Sequence, residues 1–145
     1  MARFEREGYE EWARLYSRRA KYRPIGERLL ALRFLPGGRF AIVEEDFRVG
    51  NIVVPRGFVT DGASVPLPFR ATLARYGPWT ESAVVHDFLC RHGAVSRRAA
   101  DRIFLDLLRR ARVNFFQRAR LYLGVRIGAC VPWARPGLPR IRRRA

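Results

Sequence analysis

The spacing of apolar and polar positions changes once along this chain, and the change divides it in two. From residue 27 to 55 the apolar residues come in short runs, "ERLLALRF" (27–34), "RFAIVEEDF" (39–47) and "NIVVP" (51–55). Turn signals separate them: "LPGG" after the first and Val49-Gly50 before the third. This pattern predicts a small antiparallel sheet. Beyond residue 80 the spacing lengthens to that of helices. Thr80 is the expected N-cap of a helix from Glu81 to about His92, closed by Gly93. Ser96 caps a second helix to about Arg112, with Ala100, Ile103, Phe104, Leu107 and Leu108 on one face. A third spans about 114–130. Ahead of the sheet, residues 3–20 carry a rough apolar stripe of Phe4, Tyr9, Trp12, Leu15 and Tyr16, which predicts an N-terminal helix. Between the halves, "RGFVTDGASVPLPF" (56–69) is rich in glycine and proline and reads as irregular, with a short helix over 70–76.

The expected class is therefore α+β: a small antiparallel β-sheet, with strands within 27–55, followed by a helical half. That half holds an antiparallel pair (81–92 and 97–112) and a further helix (114–130). No internal repeat is visible, and residues 1–145 read as one domain. The tail 134–145 is too rich in proline and arginine to pack.

Charge changes this picture. The net charge is +16, and a single lysine, Lys21, accompanies the arginines. Such a bias reflects genome composition as well as partners. Acidic residues are unevenly placed: after residue 47 only Asp61, Glu81, Asp87, Asp101 and Asp106 occur, and none follows Asp106. The C-terminal end should be a single positive field, ending in Arg140, Arg142, Arg143 and Arg144. An anionic lipid surface, another protein or nucleic acid would suit it, although no nucleic-acid recognition motif is present. The first residues are charged throughout and lack the apolar core of a signal peptide, and no apolar run is long enough to span a membrane. The two cysteines, Cys90 and Cys130, allow one bridge or two thiols, and no C-x-x-C pair suggests structural zinc.

Against the basic background, isolated acids in apolar surroundings call for a reason. "VVHDFLCRHG" (84–93) places His86 and Asp87 inside an apolar run. Asp101 lies at the edge of an apolar helix face, costly unless paired. The short loop "GAVS" would fold the second helix back on the first and bring Asp101 to His86, or Asp101 would pair with one of the arginines. A neutral histidine is a competent base near neutral pH, and a carboxylate on its other nitrogen fixes its tautomer. Cys90 stands four residues after His86 on the same helix face, the spacing a thiol nucleophile and its base would need. His92 beside Gly93 reads as a helix-end residue.

Two resemblances add to this reading. "GFVTDGASVP", "HDFLC" and "ADRIF" resemble the signature of an uncharacterised domain family common in tailed bacteriophages and prophages: G-F-x-T-D-x-A-S-x-P, then H-D-Y-L-Y, then A-D-x-x-F. The match runs from residue 54 to about 128, with Cys90 where that family usually has tyrosine. It implies a phage or prophage protein, in a virion or a bacterial cytoplasm. More distantly, the order of loop, H-D helix and following aspartate resembles bacterial secreted phospholipase A2. That likeness implies a phospholipase-like helix pair with His86 as general base and Asp101 holding its imidazole. It further implies that Asp61, the Gly62 carbonyl and Asp87 bind calcium. The expectation is a calcium-dependent hydrolase acting on a phospholipid ester at the cell envelope. Two alternatives stay open. One is a non-enzymatic tail or adaptor protein of the virion, with the His/Asp cluster as a buried polar network. The other is a peptidoglycan hydrolase.

Overall fold

The structure, a computed structural model, describes residues 23–62 and 76–130 together with Glu11; for 128–130 only the backbone is described. The expected helices at 3–20 and 70–76, and the tail at 134–145, lie outside these residues, apart from Glu11 and Tyr76.

Five short strands and three helices make up the described part, in an α+β arrangement. The strands are β1 (Leu32–Phe34), β2 (Ala41–Val43), β3 (Phe47–Val49), β4 (Ile52–Val54) and β5 (Val59–Thr60). The run 39–47, expected as one strand, is two. Its alternation is interrupted at Glu44, Glu45 and Asp46, three acids in sequence that a half-buried strand cannot turn to one face. β2 and β3 each bury their outer two residues and leave the middle one less buried, the period of two that a one-sided sheet requires.

β1, β2 and β5 form one antiparallel sheet with β2 central, and β3 pairs with β4 in a separate hairpin. The β1–β2 turn uses Gly37 and Gly38, both at positive φ (92° and 66°), which side chains with a Cβ rarely adopt. β5 falls in the stretch read from sequence as irregular. Its pairing of Thr60 with Ala41 and Val59 with Ile42 carries the chain from the sheet toward the helices.

The helices are α1 (Thr80–His92), α2 (Arg97–Arg110) and α3 (Phe115–Cys130). The first begins one residue earlier than expected. Trp79 is its N-cap and makes no side-chain cap bond, while the Thr80 hydroxyl accepts the Gly77 amide at 2.8 Å. The other end is as expected: Gly93 is left-handed (φ 70°) and returns its amide to Leu89. Ser96 caps α2 by accepting the Ala99 amide at 3.1 Å. Asn114 caps α3 by accepting the Gln117 amide at 2.9 Å.

Every residue of α1 from Ser82 to Leu89 is buried, because the helix is covered on one side by β4 and β5 and on the other by α2. A helix enclosed in this way has no polar face, which accounts for the apolar run around His86 and Asp87. By contrast, α2 buries one stripe: Ala100, Asp101, Phe104, Leu107 and Leu108. It packs against α1 and α3. Val43, Val54, Val84, Val85, Phe104 and Leu108 are among the fully enclosed side chains where these layers meet. No helix among the described residues is long and apolar enough to cross a membrane.

Candidate functional site

His86 and Asp87 are consecutive on α1 and therefore point about 100° apart. Each enters its own polar network. His86 turns toward α2, where its Nε2 lies 2.7 Å from Asp101 Oδ1. Next to a carboxylate, Nε2 is the donor and Nδ1 the basic position of the neutral ring. The imidazole packs on the Phe104 ring, with centroids 4.8 Å apart, and only 4% of His86 is exposed.

Asp101 is fully buried and lies within the apolar stripe of α2, not at its edge. Burying a carboxylate is costly unless its lone pairs are satisfied. Here Oδ1 meets His86 and lies 3.6 Å from Arg97 Nε, while Oδ2 accepts a hydrogen bond from Arg126 Nη1 at 3.0 Å. The two partners considered from sequence, the histidine and an arginine, are both present. Arg126 reaches inward from α3 to make this contact. Nothing in the residue pattern distinguishes it from its neighbours Arg118 and Arg120; only the crossing of α3 over α2 does.

Asp87 turns toward the sheet. Its Oδ2 accepts a hydrogen bond from Thr60 Oγ1 at 3.1 Å and lies 3.7 Å from Arg91 Nη1. The Thr60 hydroxyl in turn accepts the Gly62 amide at 3.1 Å. Arg91 also donates to the Val59 carbonyl and stacks over the Phe58 ring, 4.6 Å from its centroid. Asp61 is buried in the same segment, and Gly62 takes a positive φ of 68°. β5 thus delivers Thr60, Asp61 and Gly62 to the side of α1 that carries Asp87. Thr60 and Arg91 were not singled out from sequence. Thr60 directly precedes the Asp61-Gly62 pair, and Arg91 stands four residues after Asp87, which was a usable signal.

Cys90 is present as the thiol and is half-buried, one turn beyond His86. Its Sγ lies 3.5 Å from His86 Nε2 and 4.0 Å from Nδ1. One ligand atom each from His86, Cys90 and Asp101 fall within 4.8 Å of one another, so this group has the donors to hold a metal ion. C-x-x-C spacing does not reveal it, because its members come from two helices. His92 ends α1 with its ring stacked on Phe88, centroids 5.1 Å apart. The C-terminal arginines from Arg140 onward lie outside the described residues.

Glu81 is a further acid, half-buried, without an expected role. It accepts the amides of Ile25 at 2.8 Å and Leu30 at 3.4 Å, fastening the segment before β1 to the start of α1. Burial pushes its carboxyl above the usual 4.5, against the opposing effect of those two amide bonds.

No curated protein and no solved structure matches this chain. A family model matches residues 41–125, from β2 well into α3, so the networks around both His86 and Asp87 fall almost wholly within it. The chain belongs to that family, which is described as protein of unknown function DUF1353.

Proposed function

We propose that the protein is a hydrolase of phage or prophage origin in which His86 is the general base and Asp101 orients it, with a phospholipid ester at a cell envelope as substrate. The observation that carries this reading is the 2.7 Å contact between His86 Nε2 and Asp101 Oδ1, with the carboxylate's other oxygen held by Arg126. With Nε2–H donating to Asp101, Nδ1 takes a proton from water as the water oxygen attacks the ester carbonyl. Asp101 stabilises the imidazolium so formed. The same proton then passes to the leaving alcohol oxygen as its bond to the carbonyl carbon breaks.

Asp61, the Gly62 carbonyl and Asp87 are the residues that would hold calcium. Their hard oxygen donors fit that ion, and both carboxylates are buried. Bound there, calcium supplies positive charge for a developing oxyanion. Arg91 and Thr60 already contact Asp87 and compete with the ion for it. The phage setting and the lipid substrate rest on the sequence resemblances alone.

A second reading has its own support in the 4% exposure of His86. In a non-enzymatic virion component, the same cluster would be a polar network that specifies how α1 and α2 pair. Fatty-acid release from anionic vesicles, with calcium and with chelator, separates the two. The hydrolase reading expects calcium-dependent release that His86→Asn and Asp61→Asn abolish while circular dichroism stays native. It also expects salt-sensitive vesicle binding that weakens when residues 134–145 are removed. Release from peptidoglycan in place of lipid would move the substrate. No release from either, with a native fold, would leave the structural reading.

A further inference from the structure

We propose that His86, Cys90 and Asp101 form a binding site for a soft divalent metal of the zinc class, separate from the oxygen-donor set around Asp61 and Asp87. This goes beyond the ester-hydrolysis reading and does not depend on it. The donor set is one nitrogen, one sulfur and one carboxylate oxygen, the mixture that selects zinc over calcium or magnesium. His86 and Cys90 stand four apart on α1, the spacing that lets two ligands on one helix face share an ion.

The distances fit one ion after two side-chain adjustments. Zinc bonds of about 2.0–2.3 Å at tetrahedral angles separate neighbouring donors by about 3.3–3.6 Å. Sγ and Nε2 are 3.5 Å apart, at that separation, but Sγ is also only 4.0 Å from Nδ1, so it lies beside the ring and the Cys90 side chain must rotate toward the Nε2 lone pair. Nε2 and Oδ1, at 2.7 Å, are at hydrogen-bond distance and must part by somewhat under an ångström, roughly the difference between those two separations. All three donor atoms lie within 4.8 Å of one another. Only Oδ1 is needed, because Oδ2 stays with Arg126, which acts as the supporting residue that aims the carboxylate. Arg97 Nε, 3.6 Å from Oδ1, opposes the ion, but its side chain is 41% exposed and can swing to solvent. Three protein ligands leave a fourth position for water or another ligand.

Proton balance follows from the tautomer. The histidine proton moves from Nε2 to Nδ1, freeing Nε2 for the metal, and the thiol proton leaves to solvent as the sulfur binds. One proton is released per ion. With metal on Nε2 and Oδ1 the His86–Asp101 hydrogen bond is broken, so the metal-loaded state and the base-catalysis state exclude each other. Cys90 matters here for a chain-specific reason: the signature this sequence resembles usually has tyrosine at that position, which supplies no sulfur ligand.

The test is titration of the chelator-treated full chain with zinc and with cobalt(II). We expect one ion per chain, release of one proton, and a thiolate-to-cobalt charge-transfer band that excess calcium does not remove. Cys90→Ala should keep the fold and lose the band. Its zinc affinity should fall by more than the about 10–100-fold that loss of a supporting residue such as Arg126 costs. Cys130→Ser should keep the band. Unchanged zinc affinity in Cys90→Ala, a band that follows Cys130, or displacement of cobalt by calcium would each overturn the proposal. Should Cys90→Ala fail to fold, Cys90→Ser with the same readouts replaces it.

Discussion

Replacing Asp101 with asparagine keeps the side chain's shape and removes the charge on which three neighbours converge. The largest loss is at His86, whose hydrogen bond to Asp101 is 2.7 Å long and wholly enclosed. Hydrogen bonds to charged groups contribute about 1.5–3 kcal/mol. The two arginines contribute less, since the side chains of Arg126 and Arg97 are 37% and 41% exposed and can be hydrated elsewhere. Asp101→Asn retains one acceptor for Nε2–H, so a loss of about 2 kcal/mol is expected. Asp101→Ala retains none: it loses that bond and leaves the buried Nε2–H of a neutral imidazole unsatisfied, a further penalty of about 1–3 kcal/mol. Urea unfolding followed by tryptophan fluorescence, with m-values compared, gives both numbers. The expected order is wild type, asparagine, alanine, in decreasing stability, with Tm falling by about 2–4 °C for each kcal/mol. An alanine variant within about 0.5 kcal/mol of wild type, the ordinary scatter of surface substitutions, would refute the reasoning. It would mean that the cost of burying the carboxylate cancels everything its partners return.

Two further outcomes follow. Glu81 has a carboxyl raised above 4.5 by burial, so the folded state holds this proton more tightly than the unfolded chain does; its contribution is fully present below 4.5 and is lost as pH rises through the raised value. Glu81→Gln is neutral throughout and can still accept the Ile25 amide, so its stability relative to wild type should improve as pH rises above 4.5; a pH-independent difference in unfolding free energy would contradict this. Phe104→Ala, at a side chain 2% exposed that packs on the His86 ring, should cost about 3–5 kcal/mol in the same urea assay, and a cost below about 1 kcal/mol would mean that the site collapses without it.

What the residue pattern made legible, and what it did not, follows from the reach of each signal. The α1–α2 pair could be read because its signals are local. Gly93 and Ser96 set a short loop, and a short loop leaves little choice but antiparallel contact, so Asp101 could be placed against His86. The sheet was legible as a class but not in its breaks. Runs of three residues are shorter than the window over which alternation can be counted, and β5 is a two-residue strand inside a glycine-rich stretch. Arg126 was missed because its inward turn depends on how α3 crosses α2, which no spacing within α3 records. The Glu81 clamp escaped for a related reason: its partners are backbone amides more than fifty positions away, and backbone amides leave no mark in a sequence. The His86–Cys90–Asp101 group was half visible, as an i, i+4 pair whose third member arrives from the next helix.

Stability alone gives little reason for the Asp101 network. On α2 the buried stripe runs through Ala100, Phe104, Leu107 and Leu108, and an apolar residue at 101 would complete it. Replacing buried ionic sets with well-packed apolar ones is often neutral or stabilising, by about 1–4 kcal/mol. The polar bonds therefore require another account, either the pairing they specify or the chemistry they permit. A pairing device needs only directional bonds, and α1 has them on two sides: His86 to α2, and Asp87 to Thr60 of β5. Those bonds fix the rotation of an otherwise apolar helix between two apolar layers, where ordinary packing distinguishes one rotation from another only weakly. Chemistry needs more than directional bonds. It needs a ring held in one tautomer, which Asp101 provides at Nε2. A rotation fixed for folding is therefore also one that turns a carboxylate-paired imidazole and a second buried carboxylate, about 100° apart, into separate polar networks.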